Sequence, residues 1–253
     1  MAYEIVAEQI RIEAAAGAPP MGAYLARPAE PGDHPVVLVG AELWGVTEDV
    51  RKTVRDVAAL GFVAVAPDLY YRAGEEGTAA GMAQSPENRT RAFALLDGFA
   101  RDEVEADLRA AVAHARQYAG ASTRTAMIGF SLGGHIAYFA ATRLELDAVV
   151  AYFPGWLTTS GTALSRPAPL AEDTPAIARV GTRMLLFFAG RDHVIGAAER
   201  EEVVAGLASA GVPHEVVVYP EAQHAFFFPG HPPYDKESAE DSWRRAGAFL
   251  KGA

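Results

Sequence analysis

The chain contains no cysteine among its 253 residues. This absence excludes disulfide bonds, thiolate metal sites and a cysteine nucleophile, because each of them needs a thiol group. The sequence also lacks any apolar run near the roughly 18 residues that a transmembrane helix needs. Residues 1–13 alternate apolar and polar side chains, which is unlike the charged start and apolar stretch of a signal peptide. We therefore expect a cytoplasmic protein that does not bind membranes.

Basic residues are outnumbered, with 22 Lys and Arg against 32 Asp and Glu, for a formal net charge of −10. An acidic surface repels phosphate backbones and anionic lipids, so we expect no nucleic-acid partner. Half of the residues are hydrophobic, and this length suits one large α/β core. The sequence therefore predicts a single domain over residues 1–253. Residues 73–100, which are rich in Gly and Ala before a helical stretch, are predicted to form a cap over the site.

Short apolar runs alternate along the chain with segments of helical period. Buried runs of this kind, separated by amphipathic helices, are typical of a mostly parallel sheet with helices on both faces, and they predict an α/β fold. Functional residues on such sheets lie in the loops beyond the carboxyl ends of the strands. The predicted strands are Pro35–Ala41, Phe62–Ala66, Thr125–Gly129, Ala148–Phe153, Met184–Ala189 and Glu215–Tyr219, preceded by an antiparallel pair at residues 10–14 and 21–25, and the predicted helices are 47–60, 102–118, 197–210 and 237–250.

A strand, a glycine-rich turn and the start of a helix meet at residues 125–135, which read Thr-Ala-Met-Ile-Gly-Phe-Ser-Leu-Gly-Gly-His. The G-x-S-x-G-G pattern lifts a serine hydroxyl above the sheet on a strained turn, and the glycines leave room for neighbouring elements. The turn also places Ser131 at a helix N-terminus, where backbone N–H groups can receive an oxyanion. We therefore predict that Ser131 is a nucleophile and that the N–H of Leu132 is one oxyanion donor.

A serine nucleophile needs a general base, and His224 is the best placed of seven histidines. It follows the last predicted strand, at the same carboxyl edge as Ser131. His135 is expected to pack inside its helix. Asp192 follows the preceding strand and completes the chain order Ser, Asp, His, which is the order of the α/β-hydrolase triad. As an isolated residue, Asp192 could instead cap the helix that begins near Ala197.

The glycine-rich turn at residues 125–135 and four further segments resemble the dienelactone hydrolase family. The resemblance covers nearly the whole chain and implies an α/β-hydrolase fold and the hydrolysis of a carboxylic ester or lactone. We expect no metal or organic cofactor, because the sequence has neither an H-E-x-x-H motif nor a phosphate-binding G-x-x-x-x-G-K motif. Family members typically carry cysteine at the nucleophile position, where this chain has Ser131. The other four segments are Ala41-Glu42-Leu43-Trp44-Gly45, Pro67-Asp68-Leu69-Tyr70, Gly190-Arg191-Asp192 and His224-Ala225-Phe226.

The resemblance also implies roles for residues around the nucleophile. The N–H of Leu43 would be the second oxyanion donor, and Glu42 would lie close to the nucleophile. There Glu42 either accepts a hydrogen bond from Ser131 or braces the oxyanion loop. Arg72 matches the first of two arginines that grip a substrate carboxylate, whereas the second position holds Phe228. The aromatic residues predicted either to line a pocket or to pack in the core are Trp44, Tyr70, Phe226 and Phe228.

Three interpretations of the function remain open from the sequence. The favoured one is a serine esterase or lactonase, similar to carboxymethylenebutenolidase, that acts on a small-molecule substrate. A second keeps the same triad but cleaves a thioester, an amide or a carbon–halogen bond. A third is a ligand-binding receptor with little turnover on the same fold. The sequence leaves the oligomeric state open.

Overall fold

The computed structural model describes residues 3–14, 18–74 and 81–252. Backbone contacts form two compact units, Met1–Met127 and Ile128–Ala253. The expectation of a single domain stays a prediction. Part of the predicted cap, residues 75–80, lies outside the described residues, and the helical part of that cap is described below.

The strands form an eight-stranded, mostly parallel sheet in the order β1-β2-β4-β3-β5-β6-β7-β8. In the first unit β1 and β2 are antiparallel, β2 pairs antiparallel with β4, and β3 and β4 are parallel. In the second unit β7 pairs in parallel with both β6 and β8. The bounds are β1 Ile5–Ile12, β2 Met21–Pro28, β3 Val36–Gly40, β4 Val63–Pro67, β5 Thr125–Phe130, β6 Ala148–Tyr152, β7 Arg183–Ala189 and β8 His214–Tyr219.

In the first unit, three α-helices accompany the strands: α1 Glu48–Ala59, α2 Pro86–Asp97 and α3 Arg101–Ala115. The α1 helix begins after Thr47, whose hydroxyl oxygen accepts a hydrogen bond from the N–H of Val50. Such a cap satisfies a donor that the first helical turn leaves free. Both α1 and α3 place apolar side chains on a buried stripe, as their sequence period predicts.

In the second unit, every residue of β6 is buried, and so are all but the first of β7. The long helices of this unit are α4 Leu132–Arg143, α6 Ala197–Ser209 and α7 Lys236–Lys251. The short helix α5, Thr174–Val180, has no counterpart among the helices predicted from the sequence, because seven residues are too few to establish a helical period.

The strand β8 lies at the edge of the sheet, and its residues are half-buried or exposed. Its apolar composition had predicted a run buried on both faces. The difference arises because an edge strand has a neighbour on one side only. Among the described residues, no helix is long and apolar enough to cross a membrane.

Candidate active site

Ser131 stands at the junction of β5 and α4 in strained backbone geometry, with φ 52° and ψ −111°. A positive φ is costly for a residue with a side chain and persists only where the surrounding structure holds it. Glycine is required beside it, because a Cβ atom at Gly129 would lie 2.0 Å from the carbonyl oxygen of Gly133. A Cβ atom at Gly134 would lie 2.8 Å from the carbonyl oxygen of Tyr152. The glycines of the motif therefore permit the close approach of strand, turn and helix.

Ser131, His224 and Asp192 form a continuous hydrogen-bonded chain within the second unit. The Ser131 Oγ atom lies 2.9 Å from His224 Nε2, and His224 Nδ1 lies 2.9 Å from Asp192 Oδ2 and 3.1 Å from Oδ1. Because an ionised carboxylate only accepts, Nδ1 carries the hydrogen and Nε2 is free to accept from the serine hydroxyl. The arrangement can remove a proton from Ser131 as the hydroxyl oxygen attacks an electrophile.

The Asp192 carboxylate is nearly inaccessible, with its side chain 1% exposed. Burial raises the pKa of Asp192, but the hydrogen bond and charge of His224 and two backbone N–H donors outweigh it and hold the pKa below its ordinary value. Those donors are the N–H groups of Val194 and Ile195, 2.8 and 2.9 Å from Oδ1. The carboxylate therefore stays ionised at neutral pH and fixes the imidazole tautomer. The helix that follows is capped at Gly196, so Asp192 is not its N-cap.

His135, which lies four residues beyond Ser131 in the chain, is fully buried. Burial lowers its pKa to about 4, although the backbone carbonyl of Gly155 acts in the opposite direction. Its Nδ1 atom lies 2.9 Å from that carbonyl oxygen, and its Nε2 atom lies 3.0 Å from Thr162 Oγ1. Both nitrogens are thus occupied by structural hydrogen bonds, in agreement with the expectation that His135 packs inside its helix.

In the first unit, Glu42 is 5% exposed, and its Oε1 atom has no hydrogen bond within the described part of the chain. Burial, together with the charge of Asp49, raises the pKa of Glu42 to about 8. The carboxyl is therefore mostly protonated at neutral pH. The neighbouring Leu43 offers its carbonyl oxygen to the Tyr70 hydroxyl at 3.0 Å, so Tyr70 anchors the loop that carries the predicted oxyanion donor.

Arg72 makes a two-pronged ion pair with the fully buried carboxylate of Asp107. Glu103 lies 3.6 Å from the same guanidinium, and the Tyr71 hydroxyl donates to Asp107 at 2.9 Å. These contacts give Arg72 a structural role that the sequence did not reveal. The binding of a substrate carboxylate by Arg72 stays a prediction.

The aromatic residues predicted either to line a pocket or to pack in the core differ in exposure. Phe226 and Phe228 are 0% and 2% exposed. The Phe226 ring packs against Phe153 at 5.4 Å, and the Phe228 ring packs against Phe130 at 5.0 Å. Both rings therefore belong to the core of the second unit, the alternative that the sequence left open. Trp44 is half-buried, and its carbonyl oxygen accepts the N–H of Met82 at 2.7 Å; a role for Trp44 in substrate binding stays a prediction.

Sequence reasoning missed two residues beside the triad. Phe153 has φ 36°, and its buried ring meets the His224 ring edge-on at 5.0 Å. Glu199 accepts the N–H of Leu157 at 2.9 Å. No local pattern marks either residue, because each acts through a contact between segments that are distant in the chain.

The sequence pattern of the Dienelactone hydrolase family matches residues 21–253. A provisionally named carboxymethylenebutenolidase from Methylorubrum extorquens is 34% identical over 245 residues, covering 95% of this chain and 79% of that protein. The carboxymethylenebutenolidase of Pseudomonas putida is 29% identical over 210 residues, covering 81% and 80%.

Solved structures show the same fold. The crystal structure of a provisionally named dienelactone hydrolase from Klebsiella pneumoniae has a TM-score of 0.86 and 28% identity, covering 99% of this chain and 100% of that one. A Pyrococcus furiosus esterase, at 17% identity and a TM-score of 0.69, covers 98% of this chain and 91% of its own and shares the fold. The chain therefore belongs to the dienelactone hydrolase family and is a hydrolase with the α/β-hydrolase fold.

Proposed function

We propose that this protein is a serine hydrolase of carboxylic esters or lactones, with Ser131 as nucleophile, His224 as general base and Asp192 as the residue that orients the histidine. The single observation that carries the proposal is the hydrogen-bonded chain from Ser131 Oγ through His224 to Asp192. The strained turn at Ser131 supports it, because such strain is concentrated at functional sites.

In the proposed reaction, Ser131 Oγ attacks the substrate carbonyl while His224 Nε2 takes its proton. The tetrahedral intermediate then collapses, His224 returns the proton to the departing alcohol oxygen, and an acyl-serine remains. Water activated by His224 hydrolyses this ester and releases the acid. The N–H of Leu132, at the start of α4, is the proposed oxyanion donor in the second unit, and that of Leu43 is the proposed donor in the first. Each donor of this kind contributes on the order of 3 kcal/mol to lowering the barrier.

Other members of the family typically carry cysteine at the position of Ser131, and the proposal predicts a different inhibitor profile. Fluorophosphonates should inactivate the enzyme by labelling Ser131, whereas thiol alkylators should have no effect because the chain contains no cysteine. Mass spectrometry of the labelled protein locates the adduct. A label on another serine, or full esterase activity in Ser131→Ala, would refute the assignment.

The choice of base is tested by a matched pair of histidine substitutions. His224→Ala and Asp192→Asn should each lower kcat by several powers of ten on an activated ester such as p-nitrophenyl acetate. His135→Ala is the comparison, since the His135 nitrogens are already bonded to Gly155 and Thr162. If His135→Ala abolishes turnover while His224→Ala retains it, the assignment of the base is wrong.

A panel of substrates separates the ester from the thioester, amide and carbon–halogen alternatives. Short aromatic esters, lactones, matched thioesters, anilides and haloalkanes should be compared by kcat/KM for wild type and Ser131→Ala. We expect the esters and lactones to give the largest Ser131-dependent rates. Binding without turnover across the whole panel would favour the receptor interpretation.

A further inference from the structure

The loop that follows β6, residues 153–162, contacts segments that carry two members of the triad. At its start, the Phe153 ring packs against the His224 ring with centroids 5.0 Å apart. Two residues later, a Cβ atom at Gly155 would lie 3.1 Å from Cγ1 of Ile195, the residue whose N–H donates to Asp192. A displacement of this loop therefore disturbs the packing of both the base and its carboxylate.

His135 binds this loop from the helix that begins at the nucleophile. It lies one turn beyond Ser131 in α4, is fully buried, and reaches the loop at both Gly155 and Thr162. A carbonyl oxygen only accepts, so Nδ1 donates to Gly155 and Nε2 must accept from the Thr162 hydroxyl in the neutral imidazole. The two hydrogen bonds hold the eight residues from Gly155 to Thr162 against α4.

The loop holds a conformation that it would not adopt without such anchors. Phe153 and Trp156 have φ values of 36° and 59°, and each residue with a side chain in this region costs about 1–3 kcal/mol. A second anchor lies on the other side, where Glu199 of α6 accepts the N–H of Leu157 at 2.9 Å. Burial raises the pKa of Glu199, while backbone N–H groups of the loop act in the opposite direction.

We propose that His135, together with Thr162, is a positioning pair that holds the β6 loop against the Asp192 segment and the His224 ring. The proposal rests on the serine hydrolase function argued above and adds to it a residue that does not touch the substrate. The neutral imidazole of His135 transmits the position of α4 to the loop, and Phe153 and Gly155 transmit the position of the loop to His224 and Asp192. Loss of the His135–Thr162 bond lets the strained loop relax and lets the base turn away from Ser131.

The test compares the same substitution at two buried threonines of the second unit. Thr162→Val removes the hydroxyl that donates to His135 while keeping the side-chain volume. Thr182→Val is the control, because Thr182 is likewise buried and its hydroxyl donates to a backbone carbonyl, that of Leu146, at 2.7 Å. Thr182 precedes β7, at the end of the strand opposite the triad. If the removal of a buried hydroxyl merely destabilises the fold, the melting temperature should fall in both variants.

We expect Thr162→Val to lower kcat on p-nitrophenyl acetate by about ten-fold with little change in KM, because misplacement of a catalytic group acts on the transition state. Thr182→Val should keep kcat within about two-fold of wild type, since it leaves the loop untouched. Thr162→Ser, which retains the hydroxyl, should restore most of the lost rate.

A readout that does not depend on turnover is the proton NMR signal of the His224 Nδ1–H that bonds to Asp192. It should shift or broaden in Thr162→Val and remain as in wild type in Thr182→Val and Thr162→Ser. If Thr162→Val does not fold, Glu199→Gln loosens the other anchor and should change the same signal. Equal kcat values and an unchanged signal in Thr162→Val would overturn the proposal. Full activity in Ser131→Ala would instead overturn the function on which the proposal rests.

Discussion

The buried imidazole of His135 makes the stability of the protein sensitive to acid. Its pKa in the folded protein is about 4, against an ordinary value of 6.5, because burial disfavours the charged ring. Below pH 6.5 the unfolded chain therefore binds a proton that the folded chain excludes. Stability is unaffected by this group at alkaline pH and falls as the pH drops from 6.5 towards 4.

The size of the effect follows from the two pKa values. Each unit of difference corresponds to about 1.4 kcal/mol, so His135 alone should lower the free energy of unfolding by about 2 kcal/mol between pH 7 and pH 5. Between pH 7 and pH 4 the loss should reach about 3 kcal/mol. This is a large part of the roughly 5–15 kcal/mol that stabilises a typical domain.

Urea unfolding at pH 7, 5 and 4 measures this loss, with His135→Gln as the comparison. Glutamine does not titrate, and its amide can still donate to Gly155 or accept from Thr162. The wild-type free energy should fall more steeply than that of the variant, so the difference between the two proteins isolates the imidazole from the carboxyl groups that also titrate. Parallel pH profiles for the two proteins would refute the reasoning.

Three further predictions concern other groups. Glu42→Gln should raise the free energy of unfolding by about 3 kcal/mol at pH 7. The reason is that the buried carboxyl, with its pKa of about 8, must take up a proton on folding, whereas the same group in the unfolded chain is ionised above pH 4.5. In urea titrations the gain should vanish near pH 4.5. Gly129→Ala should lower kcat by roughly a hundred-fold or more, because the new methyl group would lie 2.0 Å from a carbonyl oxygen. Gly206→Ala is the control: its methyl group would have no atom within 4 Å, so it should leave kcat unchanged and stabilise α6 slightly. Similar kinetics for both variants would contradict the steric argument. Arg72→Ala should lower the free energy of unfolding by about 3 kcal/mol, because it leaves the buried carboxylate of Asp107 without its cation. It should also raise KM for a carboxylated ester far more than for its methyl ester; equal changes for both would refute the predicted substrate binding and leave Arg72 a structural role.

The sequence by itself predicted the order of strands and helices along the chain and the three residues that the structure joins by hydrogen bonds, Ser131, His224 and Asp192. Apolar runs of strand length and helical stripes are local patterns, so they predicted most element positions to within a few residues. The turn at Ser131 was only partly local, because a Cβ atom at Gly129 would meet Gly133 close by in the chain, whereas one at Gly134 would meet Tyr152 in another strand. Asp192 and His224 lie in the loops after β7 and β8. The sequence predicted that these loops meet, because parallel strands end at the same edge of the sheet.

The tertiary structure decided how buried and charged groups are used. The pairing of Arg72 with Asp107 joins positions 35 residues apart, and no spacing in the sequence predicts which partner a guanidinium finds. Whether Phe226 and Phe228 line a pocket or pack in the core depended on whether neighbouring segments cover their rings, and composition does not determine this. The neutral state of His135 likewise follows from complete burial and from the loop that meets it at Gly155 and Thr162. A pKa, a buried ion pair and a packed ring all depend on surroundings that only the folded chain assembles.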